Sequence, residues 1–187
     1  MKKIPIGTKS FSRLIEGNYY FVDKTLLIKE FLDRGSDVTL ITRPRRFGKT
    51  MNMSMMAEFF DITKDSREIF KGTKIMDTPY AGEINQYPTI FLSFADAKRD
   101  KESVISMLKS QLLSEWKRLR CVFADLDEFD KPQYEYLMKS LTEIDNKDLM
   151  GINNAISFLM EKLKDYYGKD VMVFIDEYDT PFVEAHV

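Results

Sequence analysis

The stretch Arg43-Pro44-Arg45-Arg46-Phe47-Gly48-Lys49-Thr50 constrains this chain more than any other. An apolar run, Val38-Thr39-Leu40-Ile41, precedes it, and a helix-like segment, Met51 to Phe60, follows. The run predicts a short buried parallel strand ending at Thr42, because strands covered on both faces read as near-continuous apolar stretches. Strand, tight loop ending Gly-Lys-Thr, then helix is an arrangement that grips phosphate: loop amides point inward and the helix start adds its positive dipole end. The backbone amides from Arg45 to Lys49 are the expected cradle. The Lys49 ammonium reaches the outer phosphates, and the Thr50 hydroxyl ligates magnesium. The usual pattern carries an earlier glycine, and Arg43 stands in its place.

Support comes from the far end of the chain. Val171-Met172-Val173-Phe174-Ile175 is its most apolar strand-like run, and it leads directly into Asp176-Glu177. A carboxylate fixed at the end of a buried strand can share a magnesium ion with Thr50, which marks Asp176 as a metal ligand. The next carboxylate, Glu177, can orient and deprotonate an attacking water. Each half occurs by chance in unrelated α/β chains. Together, in this order and each at a predicted strand end, they point to nucleotide binding.

Between these halves the pattern alternates. Asp23 is placed to cap a helix whose apolar face is Leu26, Leu27, Ile28, Phe31 and Leu32, with Gly35 as its stop. Met51, Met55, Met56, Phe59 and Phe60 form an apolar face after the loop, better read as adaptable packing than as a metal-binding methionine box. Thr89 to Phe94 predicts a second strand, and Asp100 to Leu119 a helix. Residues 122–150 are acidic and weakly apolar, expected as an insertion made of a short helix with loops and a solvated charged face. Helical spacing returns from Ile152 to Tyr167. The aromatics Phe11, Tyr19, Tyr20 and Phe21 read either as edge packing or as the wall of an adenine pocket.

Composition removes other classes. A formal net charge of −2 offers no bulk attraction for nucleic acid or an anionic membrane. No apolar run approaches the roughly 20 residues that span a bilayer. The single cysteine, Cys121, cannot form an internal disulfide, and the chain reads as cytoplasmic. His186, the sole histidine, sits in the tail rather than in a motif.

Pro5-Ile6-Gly7, Phe11, Tyr20-Phe21-Val22-Asp23-Lys24-Thr25, the 43–50 loop, and Ile175-Asp176-Glu177-Tyr178-Asp179-Thr180-Pro181 resemble the AAA-ATPase-like domain of bacterial proteins. In that family the loop reads Arg-Pro-Arg-Arg-Phe-Gly-Lys-Thr, so Arg43 is typical. The resemblance implies a P-loop NTPase three-layer sandwich with a mostly parallel sheet, over residues 1–187, with residues 1–37 as a lid and helix. It implies ATP and Mg2+ as ligands, with Pro44, Arg45, Arg46, Phe47, Gly48, Lys49, Thr50 and Met51 around the nucleotide, and Lys49 and Glu177 as catalytic groups. It implies a sensor strand after the Asp-Glu strand. Only 11 positions (187 − 176) follow Asp176, so this chain is expected to be an N-terminal fragment with an incomplete sheet. The family is often fused to a PD-(D/E)xK nuclease-like domain, which is where nucleic acid would enter. An open sheet edge can also pair with a second copy of the chain.

Three functions follow from these residues. The first is Mg-dependent ATP hydrolysis. The second is a catalytically weak nucleotide-binding scaffold, or a regulatory module of a nuclease-linked protein. The third is nucleic-acid handling through Arg43, Arg45 and Arg46, for which nucleotide phosphates are the simpler partner.

Overall fold

Phe59 and Phe60, adjacent on one helix and both fully buried, anchor the first of two units into which the chain divides, Met1–Thr89 and Ile90–Val187. The computed structural model describes residues 3–5, 7–42, 47–95, 100–143 and 149–178. The first unit is helical. It contains α1 (Phe11–Glu16), α2 (Leu26–Arg34), α3 (Lys49–Phe60), α4 (Arg67–Phe70) and two 3₁₀ turns, Lys74–Asp77 and Pro79–Glu83. The Ser10 hydroxyl accepts the Arg13 amide at the start of α1, and Gly35, at φ +55°, closes α2 in the left-handed conformation that glycine tolerates best. Phe11 donates its amide to Ser54 Oγ at 3.0 Å, tying α1 to α3. Phe11, Phe59 and Phe60 then meet Phe70 and Phe31 through ring pairs 5.1–5.8 Å apart. Truncating Phe11, Phe59, Phe60 or Phe70, all fully buried, to alanine would cost about 3–5 kcal/mol.

The segment after α3 is held by polar contacts instead. Glu58 is buried; its Oε1 accepts from Ser66 Oγ at 2.7 Å and its Oε2 from Lys64 Nζ at 2.6 Å. Asn85 accepts the Ser66 amide at 2.8 Å and donates to the Asp61 carbonyl at 2.9 Å. A satisfied network of this kind fixes a loop that lacks an apolar face.

The strand predicted at 38–42 is not formed. Val38 is 85% exposed and Leu40 64%, and no strand or bridge is present at these residues. An extended segment becomes a strand only when a neighbour takes its amides and carbonyls, and no described residue does so here. The β-branched composition records a preference that goes unused in this structure. Phe11 also departs from the pocket-wall reading: it is fully buried and packs edge-on to Phe21.

The second unit packs three long helices with a two-stranded parallel sheet, whose residues Val173 and Ile175 stay exposed. Its strands are β1 (Thr89–Ser93) and β2 (Met172–Asp176), paired to the point where Phe94 donates its amide to the Asp176 carbonyl at 2.9 Å. The helices are α5 (Lys101–Arg118), α6 (Asp130–Thr142) and α7 (Leu149–Tyr167). Asp100 caps α5 by accepting the Ser103 amide at 2.7 Å. Ile105, Leu112, Leu137, Leu141, Phe158 and Leu159 fill the core between the helices. Trp116 stacks on Tyr134 and Phe158 at 5.5 and 5.9 Å. The acidic segment 122–150 thus contributes α6, which buries Leu137 and Leu141 and turns its charges outward or into pairs. No described helix is long and apolar enough to cross a membrane.

Candidate functional site

Gly48 starts α3 from a left-handed conformation, φ +79°, and its carbonyl accepts the Asn52 amide at 2.9 Å. It offers no side chain to cap the helix, and the first turn holds no acidic residue. The first amides of any helix lack internal partners, so those of Lys49, Thr50 and Met51 remain for an external acceptor. All three residues are half-buried. The Lys49 ammonium and the Thr50 hydroxyl make no hydrogen bond or ion pair with another described residue. Phe47, just before the turn, is 59% exposed. Helix-start amides without a side-chain cap, and a lysine and a hydroxyl that no described residue engages, form a donor set suited to an anion with a bound cation. Pro44, Arg45 and Arg46, like Arg43, lie outside the described residues.

Asp176 ends β2 in the second unit and is 2% exposed. Its carbonyl is occupied by the Phe94 amide, while its carboxylate meets no hydrogen-bond donor or cation among the described residues. Buried carboxylates are ordinarily paired or bound to metal, so this one has the chemistry of a cation ligand. Glu177 follows at φ +51°, a conformation that costs an L-residue about 1–2 kcal/mol. That cost turns the chain sharply at the strand end and leaves Glu177 half-buried beside Asp176. No cluster of three or more His, Cys, Asp or Glu occurs among the described residues. Magnesium does not need one, since it keeps waters and binds through one or two protein ligands plus phosphates.

Sequence reasoning assigned no role to Lys24. The Asp23 carboxylate holds the chain beside it: Oδ1 accepts from the Thr25 amide at 2.8 Å and from the Thr25 hydroxyl at 2.7 Å, and Oδ2 from the Lys74 amide at 2.8 Å. Burial pushes this carboxyl up, but the Thr25 and Lys74 hydrogen bonds outweigh it and hold Asp23 below the usual aspartate range. Asp23 therefore buttresses the segment before α2, and the residue at the α2 N-cap is Thr25. The available signal was the unusual density of polar residues in Asp23-Lys24-Thr25 ahead of an apolar helix. A cavity of about 220 Å³ lies nearby in the same unit, lined by Leu27, Phe31, Ile41, Asn52 and Met56 among others. None of Phe11, Tyr19, Tyr20 or Phe21 contributes to it.

These features define a mixed helix-and-strand protein with an anion-receptive helix start in one unit and, in the other, a buried strand-end carboxylate that meets no partner among the described residues. The AAA-ATPase-like family, described as "Predicted AAA-ATPase", matches residues 5–187, and the chain belongs to that family. Membership supports nucleotide binding in general. The chain is also 27% identical over 185 residues to an "Uncharacterized protein in vnfD 5'region" of Azotobacter chroococcum mcd 1. That match covers 98% of this chain and 30% of the relative, so the chain spans about a third of the relative's length. No solved structure matches the chain.

Proposed function

We propose that this domain binds ATP with magnesium and hydrolyses it. The reading is supported by one observation above the others: α3 begins at an uncapped left-handed glycine followed by a lysine and a threonine that no described group engages, in a chain of this family. In this reading the sheet is part of a P-loop three-layer sandwich. Residues Pro44 to Met51 surround the phosphates. Lys49 neutralises charge on the outer phosphates, where positioning and electrostatics supply most of the rate in phosphoryl transfer. Thr50 and Asp176 hold the magnesium, whose contribution is to withdraw charge from the phosphate oxygens. Glu177 orients the attacking water and accepts its proton.

The test is nucleotide-dependent stabilisation. With ADP or ATP and magnesium at a hundredfold excess over Kd, linkage predicts about 2.7 kcal/mol. For a domain of this size that is a melting shift of roughly 5–10 °C. Lys49→Ala should lose the shift. A wild-type protein whose melting point ignores millimolar nucleotide would sink the reading. Loss of phosphate release in Glu177→Gln, with binding kept, separates hydrolysis from mere binding. Release that is equally absent in both forms favours the scaffold.

A further inference from the structure

We propose that Lys24 is a second phosphate-binding cation, reaching the loop from the segment before α2. The proposal rests on the nucleotide reading above and adds a residue to it.

The geometry begins at Gly48. A Cβ placed on that glycine would have one described neighbour outside its own loop within 4.0 Å, the Lys24 Nζ. The lysine thus holds its ammonium near the glycine that opens α3, a helix start that no side chain caps. It comes from 24 positions earlier in sequence (48 − 24), so this approach is a product of the fold.

No structural partner among the described residues places Lys24 there. Its ammonium forms no ion pair or hydrogen bond with a described residue. Its neighbour Asp23 is committed to Thr25 and Lys74. Thr25 is fully buried, and its hydroxyl also accepts the Ile75 amide at 3.1 Å. The backbone on the C-terminal side of Lys24 is therefore pinned, and the side chain projects from a fixed base. Its charge also opposes local stability. Lys24 precedes the N-cap of α2, where the macrodipole is positive and a cation is disfavoured. A second ammonium, Lys49, belongs to the same loop end. An anion between these donors removes the conflict, and a polyphosphate carries enough charge to engage both lysines.

The experiment is titration calorimetry with ADP and with ATP, in magnesium, on the wild type, Lys24→Ala, Lys24→Arg and Lys49→Ala. Losing one charge-assisted contact should weaken nucleotide binding in Lys24→Ala about tenfold to hundredfold, with a shallower dependence on salt. Lys24→Arg should recover most of the affinity. The melting point of nucleotide-free Lys24→Ala should equal or slightly exceed that of the wild type, because an exposed, dipole-opposed charge has been removed. Wild-type affinity in Lys24→Ala, beside loss in Lys49→Ala, overturns the role of Lys24 and leaves the nucleotide site standing. A Lys24→Ala protein that melts lower and is not rescued by arginine also overturns it, since the residue would then be structural. Absence of binding in the wild type itself overturns the nucleotide reading, and this proposal with it.

Discussion

Asp23 shows how one side chain can hold a site together without touching a ligand. Its two oxygens take three donors, two from Thr25 and one from Lys74, across 51 positions of sequence (74 − 23). Asp23→Ala leaves the buried Thr25 hydroxyl without its acceptor and two amides unpaired. Such losses cost about 1–3 kcal/mol, which urea denaturation at neutral pH would read. The pH dependence has a definite sign. A carboxyl whose folded pKa is depressed stabilises the fold above its unfolded pKa, near 3.9, and loses that contribution as pH falls through the lower folded value. Asp23→Asn, which keeps an acceptor and does not ionise, should flatten the part of the acid loss that Asp23 contributes. A wild type and Asp23→Asn with parallel acid profiles would contradict the account. None of this was legible beforehand. An aspartate ahead of an apolar helix reads as a cap, because pattern shows proximity in sequence and not a partner some fifty positions away.

At the scale of elements, periodicity served well wherever a helix carried a broad apolar face. α2, α3, α5 and α7 lie within a few residues of where Leu26–Leu32, Met51–Phe60, Asp100–Leu119 and Ile152–Tyr167 place them. It failed in one instructive way. Val38 to Thr42 has strand composition without strand pairing, since composition reports preference and pairing needs a neighbour. The short helix expected in the acidic run at 122–150 is α6, and Leu137 and Leu141 at i, i+4 seat it on the core while its other faces carry the charge. What fastens α6 is also ionic. Lys162 on α7 is nearly buried; its ammonium lies 2.7 Å from Asp130 and 5.5 Å from the Phe158 ring centre. Burial works against that charge, but hydrogen bonds to Asp130 and Glu161 prevail and raise its pKa above the usual lysine value. Lys162→Ala should therefore destabilise the second unit by about 3 kcal/mol, mostly by stranding Asp130. Lys162→Met with Asp130→Leu should recover much of that loss. A double variant no more stable than Lys162→Ala alone would show that the pair is not what couples α6 to α7.

For the molecule as a whole, the site motifs were more legible than the architecture that carries them. Gly48-Lys49-Thr50 and Asp176-Glu177 could be picked out because each couples a residue type to an element boundary, and both boundaries exist, at the start of α3 and the end of β2. The wider sheet could not be read in the same way, since strand order depends on long-range pairing that local patterns do not encode. The two motifs fall in different units, and each bears a local cost. One is a helix start left without a side-chain cap; the other is a carboxylate at 2% exposure with no partner among the described residues, next to a glutamate at φ +51°. Proteins tolerate such costs where a ligand recovers them, and the tolerance sets up an opposition between stability and function. Asp176→Asn keeps the shape and removes the buried carboxylate charge. Without magnesium or nucleotide it should melt higher than the wild type, by roughly 2–4 °C for each kcal/mol relieved. With nucleotide present, adding magnesium should raise the wild-type melting point further, while chelation should make no difference to the variant. Opposite signs in the two conditions identify Asp176 as a group kept for a cation. A variant that melts lower in chelator and still responds to magnesium would show instead that the carboxylate serves the fold of β2.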